Sequence, residues 1–254
     1  MPSHQADRAL PTLPDEDVRR ALCVVAHPDD MEYGASAAVH RWTARGVEVT
    51  YLLLTAGEAG MAEAPEVVAP LRAREQRTAC TTVGVEDLRI LAHPDGMLEP
   101  SLDLRRDVAR TVRDVRPDLV LTTTYEVEAY GSLNQADHRA AGTAAADGTR
   151  DAANPWVFRE LGHDGYRPWQ ARALIVVGHS RPTHAIPVGP DDAAASIASL
   201  RSHEAYLAHV TGHPAPEELI PRALQEGGAQ SEGGGLAVTA RVFDLGGLGG
   251  STGQ

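Results

Sequence analysis

Short apolar runs at residues 21–26, 48–55, 88–91 and 119–123 alternate with segments of helical spacing, and this alternation limits the fold more than any other feature of the chain. A run such as ALCVVA, apolar at every position, suits a strand covered on both faces. The intervening segments 31–45, 70–83 and 104–115 repeat apolar residues three and four apart, as in Ala35, Ala38, Val39 and Trp42. Gly46 stands where a C-terminal helix cap would stand, and Pro117 lies just beyond the end of the third such segment. Strand alternating with helix implies right-handed βαβ units. The predicted fold is α/β: a Rossmann-like, mostly parallel twisted sheet with helices on both faces and a smaller C-terminal extension.

The organisation along the chain rests on the same pattern. Residues 1–19 are polar, contain proline and read as a loose N-terminal arm. Residues 20–150 form the core. Residues 151–226 continue the same domain, with a long loop at 151–170, strands at 172–177 and 184–188, and one long helix over 191–209. In that helix Ile197, Leu200, Leu207 and Val210 have core spacing. Residues 227–254 are glycine-rich and are expected to form a mobile tail around one apolar stretch at 236–243.

Composition narrows the function. Acidic residues number 35 against 23 basic ones, a net charge of −12. Such a surface repels phosphate backbones and anionic lipid, so neither a nucleic-acid nor a membrane partner is expected. No apolar run approaches the ~18–20 residues of a spanning helix, and the N-terminal stretch lacks the apolar centre of a secretory signal. The expected location is cytoplasmic, and an oligomer is compatible with the sequence. Cys23 and Cys80 lie inside apolar patterns, as reduced core thiols do. Every basic residue is arginine, and the absence of lysine excludes Schiff-base chemistry and a P-loop lysine. No G-x-G-x-x-G turn succeeds the first strand, which argues against a dinucleotide cradle.

The first strand leads instead into His27, Asp29 and Asp30. In open α/β sheets ligands bind beyond the carboxyl ends of the strands, at a topological switch point. Two adjacent acids in a tight turn there are costly unless positive charge compensates them. Imidazole and carboxylate are good donors to zinc. The competing reading is a helix cap before Met31, which accounts for one acid but not for two acids and a histidine. A third donor is available in His138, which with Asp137 opens a helix after the fourth strand. If the fourth strand neighbours the first, the two turns converge, and one acid is left over as a base.

Residues 26–34, AHPDDMEYG, resemble the A-H-P-D-D-x-E opening of the PIG-L/LmbE-like family of zinc-dependent de-N-acetylases. The resemblance runs from about residue 21 to 203. It continues through LTAGE at 54–58, Arg72, Arg74 and Glu75, Asp95-Gly96, Arg113 with Arg116-Pro117-Asp118, Asp137-His138 and, more weakly, Leu200-Arg201-Ser202-His203. It implies that His27, Asp30 and His138 hold Zn2+, with iron(II) or cobalt suited to the same donors. It further implies Asp29 as general base, Asp137 as a supporting or helix-capping acid that orients the site, and Arg72 and Asp95 as sugar contacts. Glu58, in the LTAGE stretch, and His93, on the rim after the third strand, join them as substrate-binding candidates.

The chain departs from the family pattern in one place. Where the family has H-P-D-H, this chain has Gln135-Ala136-Asp137-His138. Glutamine donates a hydrogen bond but cannot shuttle a proton. Tyr130-Gly131 is separated from that motif by Ser132, Leu133 and Asn134. Tyr130, if its loop folds back, and Gln135 are the candidates for stabilising an oxyanion. Trp156 and Trp169 are candidates for stacking on a sugar face, or for plain packing. The expected function is removal of an N-acetyl group from an N-acetylglucosamine-type sugar or glycosylated small molecule by zinc-activated water. The alternatives are an amidase acting on a larger thiol conjugate or natural-product intermediate, and a non-catalytic sugar-binding relative.

Overall fold

The computed structural model describes residues 9–248. Its sheet is built from β1 (Arg20–Val25), β2 (Glu48–Leu53), β3 (Asp87–Ile90), β4 (Leu119–Thr123), β7 (Ala173–Val177), β8 (His184–Val188) and β9 (Leu236–Asp244). A separate two-stranded hairpin pairs β5 (Glu128–Ala129) with β6 (Ser132–Leu133). The helices are α1 (Asp30–Gly34), α2 (Ser36–Ala44), α3 (Pro65–Thr82), α4 (Leu102–Val115), α5 (Ala136–Ala152), α6 (Arg159–His163), α7 (Pro190–Arg201), α8 (Glu204–His209) and α9 (Pro216–Gln230).

The strand order is β3-β2-β1-β4-β7-β9-β8. The first five of these run parallel, and β9 is antiparallel to both β7 and β8. The chain winds outward from β1 through β2 to β3, then returns to place β4 on the other side of β1. That reversal is the switch point, and β1 and β4 flank it in register from Ala21 opposite Leu119 to Cys23 opposite Leu121.

The continuous apolar run of β1 is explained by cover on both faces. Ala21, Cys23 and Val25 join a buried cluster with Trp42, Leu200 and Leu224, from α2, α7 and α9. Leu22, Val24 and Ala26 join a second cluster with Val108 and Ala141, from α4 and α5. Cys23 and Cys80 are free and buried, and burial pushes the Cys80 thiol up to about 12.

Several boundaries differ from the sequence expectation. The helix expected over 31–45 is broken at Ala35, whose φ of −145° is not helical. The helix expected over 191–209 is two helices, α7 and α8, with His203 buried between them. α3 begins at Pro65, so Pro70 lies inside it. α9 has no counterpart in the sequence expectation, and the loop expected over 151–170 contains α6.

The two expected flexible ends are also corrected within the described residues. Leu13, in the N-terminal arm, is fully buried, and Asp15 is tied to Arg41, Trp42 and Arg45. Residues 1–8 of that arm lie outside the described residues. Residues 227–248 are not a tail: they complete α9 and supply β9, which is hydrogen-bonded on both sides. A Cβ at Gly227 or Gly228 would collide with the carbonyls of Ala237 and Gly235. These glycines let a helix lie against a strand, so their abundance marks close packing. Residues 249–254 of the expected tail lie outside the described residues.

Candidate functional site

The turn after β1 is shaped by unusual backbone. Asp29 adopts φ 83°, the left-handed region that L-residues with a Cβ avoid. Its N–H donates to Gln76 Oε1 at 2.9 Å, and Gln76 Nε2 donates in turn to Glu32 Oε1 at 3.2 Å. Arg72, on the same face of α3 as Gln76, donates to the carbonyls of Pro28 at 2.7 Å and Gly57 at 3.0 Å. Gly57 has φ 67°, and a Cβ there would overlap the Arg72 guanidinium, so only glycine fits.

Neither aspartate of the turn caps α1. Asp29 occupies the N-cap position with no side-chain cap bond. Asp30 Oδ2 turns back to accept from the N–H groups of Ala26 and His27, at 3.0 and 2.9 Å. This frees Asp30 Oδ1, which lies 3.1 Å from His138 Nε2 and 3.7 Å from His27 Nδ1. The two imidazole centroids are 5.2 Å apart, although the residues are distant in the chain.

The remaining ring nitrogens are held by acceptors. His27 Nε2 lies 3.0 Å from Asp95 Oδ1 and 3.4 Å from Asp137 Oδ2. His138 Nδ1 lies 3.1 Å from Asn134 Oδ1. Asp137, expected as a cap, instead accepts from the N–H groups of Gly96 at 2.7 Å and Leu98 at 3.2 Å, while Gln135 holds the N-cap position. Asp95 is anchored in turn: its Oδ2 accepts from the N–H of Ala59, and its own N–H donates to Glu58.

His27, Asp30 and His138 each offer a donor atom within 4.8 Å of the others. His27, Asp95 and Asp137 meet the same measure; there both oxygens of Asp137 accept backbone N–H groups and both oxygens of Asp95 accept hydrogen bonds, from Ala59 N–H and the Thr55 hydroxyl, whereas Asp30 Oδ1 faces only the two imidazoles. The electrostatics reflect this crowding. Burial alone would raise the Asp30 carboxyl, but the facing imidazoles of His138 and His27 hold it well below the usual carboxylate range. Burial opposes charge on His27 too, yet Asp30, Asp137 and Asp95 outweigh it and raise the imidazole. Asp29 goes the other way. Burial pushes it up to about 7, and the Arg72 guanidinium 3.2 Å from its Oδ2 offsets this only in part. Asp29 Oδ2 accepts no hydrogen bond.

These groups open on a cavity of about 850 Å³. Tyr130 and Gln135 line it. Tyr130 sits in the turn of the β5–β6 hairpin at φ 55°, and a Cβ at Gly178 would meet its hydroxyl at 2.5 Å, so the ring folds over the end of β7. Glu58 and His93 do not line the cavity. Glu58 supports Asp95 instead, and His93 pairs with Asp107 at 3.0 Å on the α4 side, away from the cavity. Trp156 is exposed beside Arg159, and Trp169 donates to the carbonyl of Pro117 at 2.8 Å; neither stands at the cavity. Sequence reasoning missed Gln76 and Tyr206, and it gave Glu32, the last residue of the opening motif, no role. Gln76 was within reach, one helical turn beyond Arg72; Tyr206, stacked on Arg72 at 4.0 Å, had no local signal.

The chain is similar to several known proteins. The diacetylchitobiose deacetylase of Thermococcus kodakarensis is 26% identical over 194 residues, 75% of this chain and 71% of that protein. The 1D-myo-inositol 2-acetamido-2-deoxy-alpha-D-glucopyranoside deacetylase of Kineococcus radiotolerans is 32% identical over 207 residues, 65% of this chain but only 53% of that protein. The solved N,N'-diacetylchitobiose deacetylase from Pyrococcus horikoshii shares the fold, with a TM-score of 0.80 over 91% of this chain and 86% of that one at 21% identity. The family model described as PIG-L, GlcNAc-PI de-N-acetylase, matches residues 22–148, half of the chain and the whole stretch from His27 to His138. The chain belongs to the PIG-L family.

Proposed function

We propose that this chain is a divalent-metal-dependent hydrolase that removes the N-acetyl group of an N-acetylglucosamine-type sugar or glycosylated small molecule. The observation that carries the reading is the convergence of His27, Asp30 and His138 within 4.8 Å beside a carboxylate, Asp29, left without a hydrogen bond on Oδ2. The donor set fits a cation such as Zn2+, iron(II) or cobalt: two imidazole nitrogens and an anionic oxygen. It fits in a second respect. Oxygen acceptors engage His27 Nε2 and His138 Nδ1, which leaves His27 Nδ1 and His138 Nε2 facing Asp30 Oδ1. Such a cation, when bound, polarises an amide carbonyl and makes water a nucleophile near neutral pH.

The chain's own residues do the rest. Asp29 accepts the proton of the attacking water and returns it to the departing amine, so that one carboxyl serves as base and then as acid. Arg72 fixes the Asp29 carboxylate and, with Asp95, faces the sugar. The Tyr130 hydroxyl and the Gln135 amide supply hydrogen-bond donors for the developing oxyanion.

The decisive test is Asp29→Asn, assayed by acetate release from N-acetylglucosamine compounds together with metal content per chain. The expected result is a fall in kcat of about 10²–10⁴ with metal content unchanged. Chelation should abolish turnover, and added metal should restore it. Substantial activity in Asp29→Asn, or full activity after metal removal, would defeat the reading.

A further inference from the structure

The connection from β4 to α5 carries a strained residue. β5 and β6 pair Glu128 with Leu133 and Ala129 with Ser132, so Tyr130 and Gly131 alone form the turn. Both have positive φ, 55° and 79°, as a two-residue hairpin turn of this kind requires. Asparagine followed by glycine is the usual pair there, and a bulky ring in the first position is strained. Such strain persists only where the surroundings hold it.

Three sets of contacts hold this one. At the base, Asn134 Nδ2 donates to the carbonyls of Thr124 at 2.9 Å and Glu126 at 3.0 Å. The three residues that separate Tyr130-Gly131 from Gln135 are thereby accounted for: Ser132 and Leu133 are the second strand, and Asn134 closes the loop. At the tip, the phenol end of Tyr130 rests on Gly178. The ring is exposed, yet burial of the hydroxyl and the charge of Asp30 push it up to about 12, so it stands at the cavity as a donor. At the side, Glu126 reaches the turn that follows β7. Its Oε2 accepts from the Ser180 N–H and its Oε1 from the Ser180 hydroxyl, both at 2.7 Å. The Thr124 hydroxyl at 3.3 Å and His179 Nδ1 at 3.5 Å lie farther from that carboxylate, and His179 Nδ1 already accepts the Arg181 N–H at 3.0 Å. Glu126 is not among the residues that line the cavity. Its clamp ties the strained loop to the same turn that seats the tyrosine ring.

We propose that Glu126 is a positioning residue: clamped to Ser180, it fixes the hairpin so that the Tyr130 hydroxyl is held over the site. The inference rests on the hydrolase reading, in which that hydroxyl meets the oxyanion, and adds the residue that aims it.

The experiment compares the zinc-loaded full chain with Glu126→Ala, Glu126→Gln, Tyr130→Phe and the double variant Glu126→Ala/Tyr130→Phe. The readouts are kcat, KM, metal content and, in protein labelled with fluorotyrosine, the fluorine resonance of Tyr130, assigned by its loss in Tyr130→Phe. In Glu126→Ala, kcat for the methyl glycoside of N-acetylglucosamine should fall about tenfold, with KM and metal content changed little. Glu126→Gln keeps an acceptor for the Ser180 N–H and a donor to its hydroxyl, so it should recover most of the loss. Ser180→Ala, which removes the hydroxyl contact alone, should give a smaller change in the same direction. Glu126→Ala should cost nothing further in the Tyr130→Phe background, because the clamp acts through that ring. The Tyr130 resonance should be displaced or broadened in Glu126→Ala and restored in Glu126→Gln. An unchanged kcat in Glu126→Ala, additive losses in the double variant, or a Tyr130 resonance unmoved in Glu126→Ala overturns the proposal and leaves the hydrolase reading intact. If no compound is cleaved, the hydrolase reading fails instead, and the resonance alone decides. Displacement in Glu126→Ala with recovery in Glu126→Gln upholds the clamp on Tyr130, and no displacement overturns it.

Discussion

Asp29 holds a backbone conformation that costs a residue with a Cβ roughly 1–2 kcal/mol, so its neighbours must hold it there. Gln76 does so with a side chain that is nearly fully buried, one end on the Asp29 N–H and the other on Glu32. Gln76→Leu keeps the bulk and removes both bonds. The expected outcome is a drop in kcat of about tenfold or more with KM changed little, since the contact orients the base and does not touch substrate. A purely structural role would lower the melting temperature and leave the kcat of the folded fraction unchanged. Gln76→Glu cannot present the same amide to Glu32 and should rescue little. At this scale His27, Asp29 and Asp30 were legible in the sequence because metal-type donors stand at the end of β1, and His138 because it forms an Asp-His pair at the start of a helix. His93 was not, because standing on the rim after a strand does not determine where a ring points: Asp107 on α4 draws it away.

Among the elements, α5 is a case where both ends matter. Its N-terminus carries Asp137 and His138 into the site, and its C-terminus is held by Arg113 from α4. Arg113 is 1% exposed and donates to the carbonyls of Asp151, Ala152, Asn154, Val157 and Phe158. The carbonyls of Asp151, Ala152, Asn154 and Phe158 each accept a backbone N–H as well, so the guanidinium adds a second, charged donor that ties the end of α5 and the next loop to α4. Arg113→Met should destabilise the fold by roughly 1.5–3 kcal/mol, because a cluster of carbonyls loses its charged donor. A urea titration should show this as a lower midpoint at unchanged slope. Arg113→Lys should recover a minor part, since an ammonium cannot span the fork of acceptors that a guanidinium spans. The loop over 151–170 is held by this side chain together with the Trp169 bond to Pro117 and the buried Leu161, contacts that its glycine, proline and tryptophan content does not reveal.

At the scale of the molecule, the N-terminal segment is tied to α2 by one buried carboxylate and to β8 and the end of α9 by backbone hydrogen bonds. Asp15 accepts from Arg41, from Trp42 Nε1 at 2.7 Å and from Arg45 at 3.0 Å. Burial would raise its carboxyl, but the hydrogen bonds from Arg41, Trp42 and Arg45 prevail and hold it below the ordinary value. A carboxyl depressed on folding contributes stability that is complete above the unfolded value of about 3.9 and is lost as pH falls through the folded value. Asp15→Asn should therefore be less stable than the parent by roughly 2–3 kcal/mol at neutral pH. The gap between the two, followed by denaturant unfolding, should close as the pH is lowered below about 4. A gap that persists at low pH would assign the effect to shape and not to charge.

The layered α/β plan is written in the order of the residues, because apolar runs covered on two faces and helices covered on one leave different periodicities. So is the chemical character of the site, because two acids and a histidine at a strand end have few other uses. Which distant parts share that site is settled by the packed chain alone. The reversal that sets β4 beside β1 brings His138 to Asp30, and the antiparallel insertion of β9 between β7 and β8 brings Ala237, Val238 and Thr239 to the same cavity. Both depend on contacts between residues far apart in sequence. Local pattern encodes which face of an element is buried, but not which other element buries it.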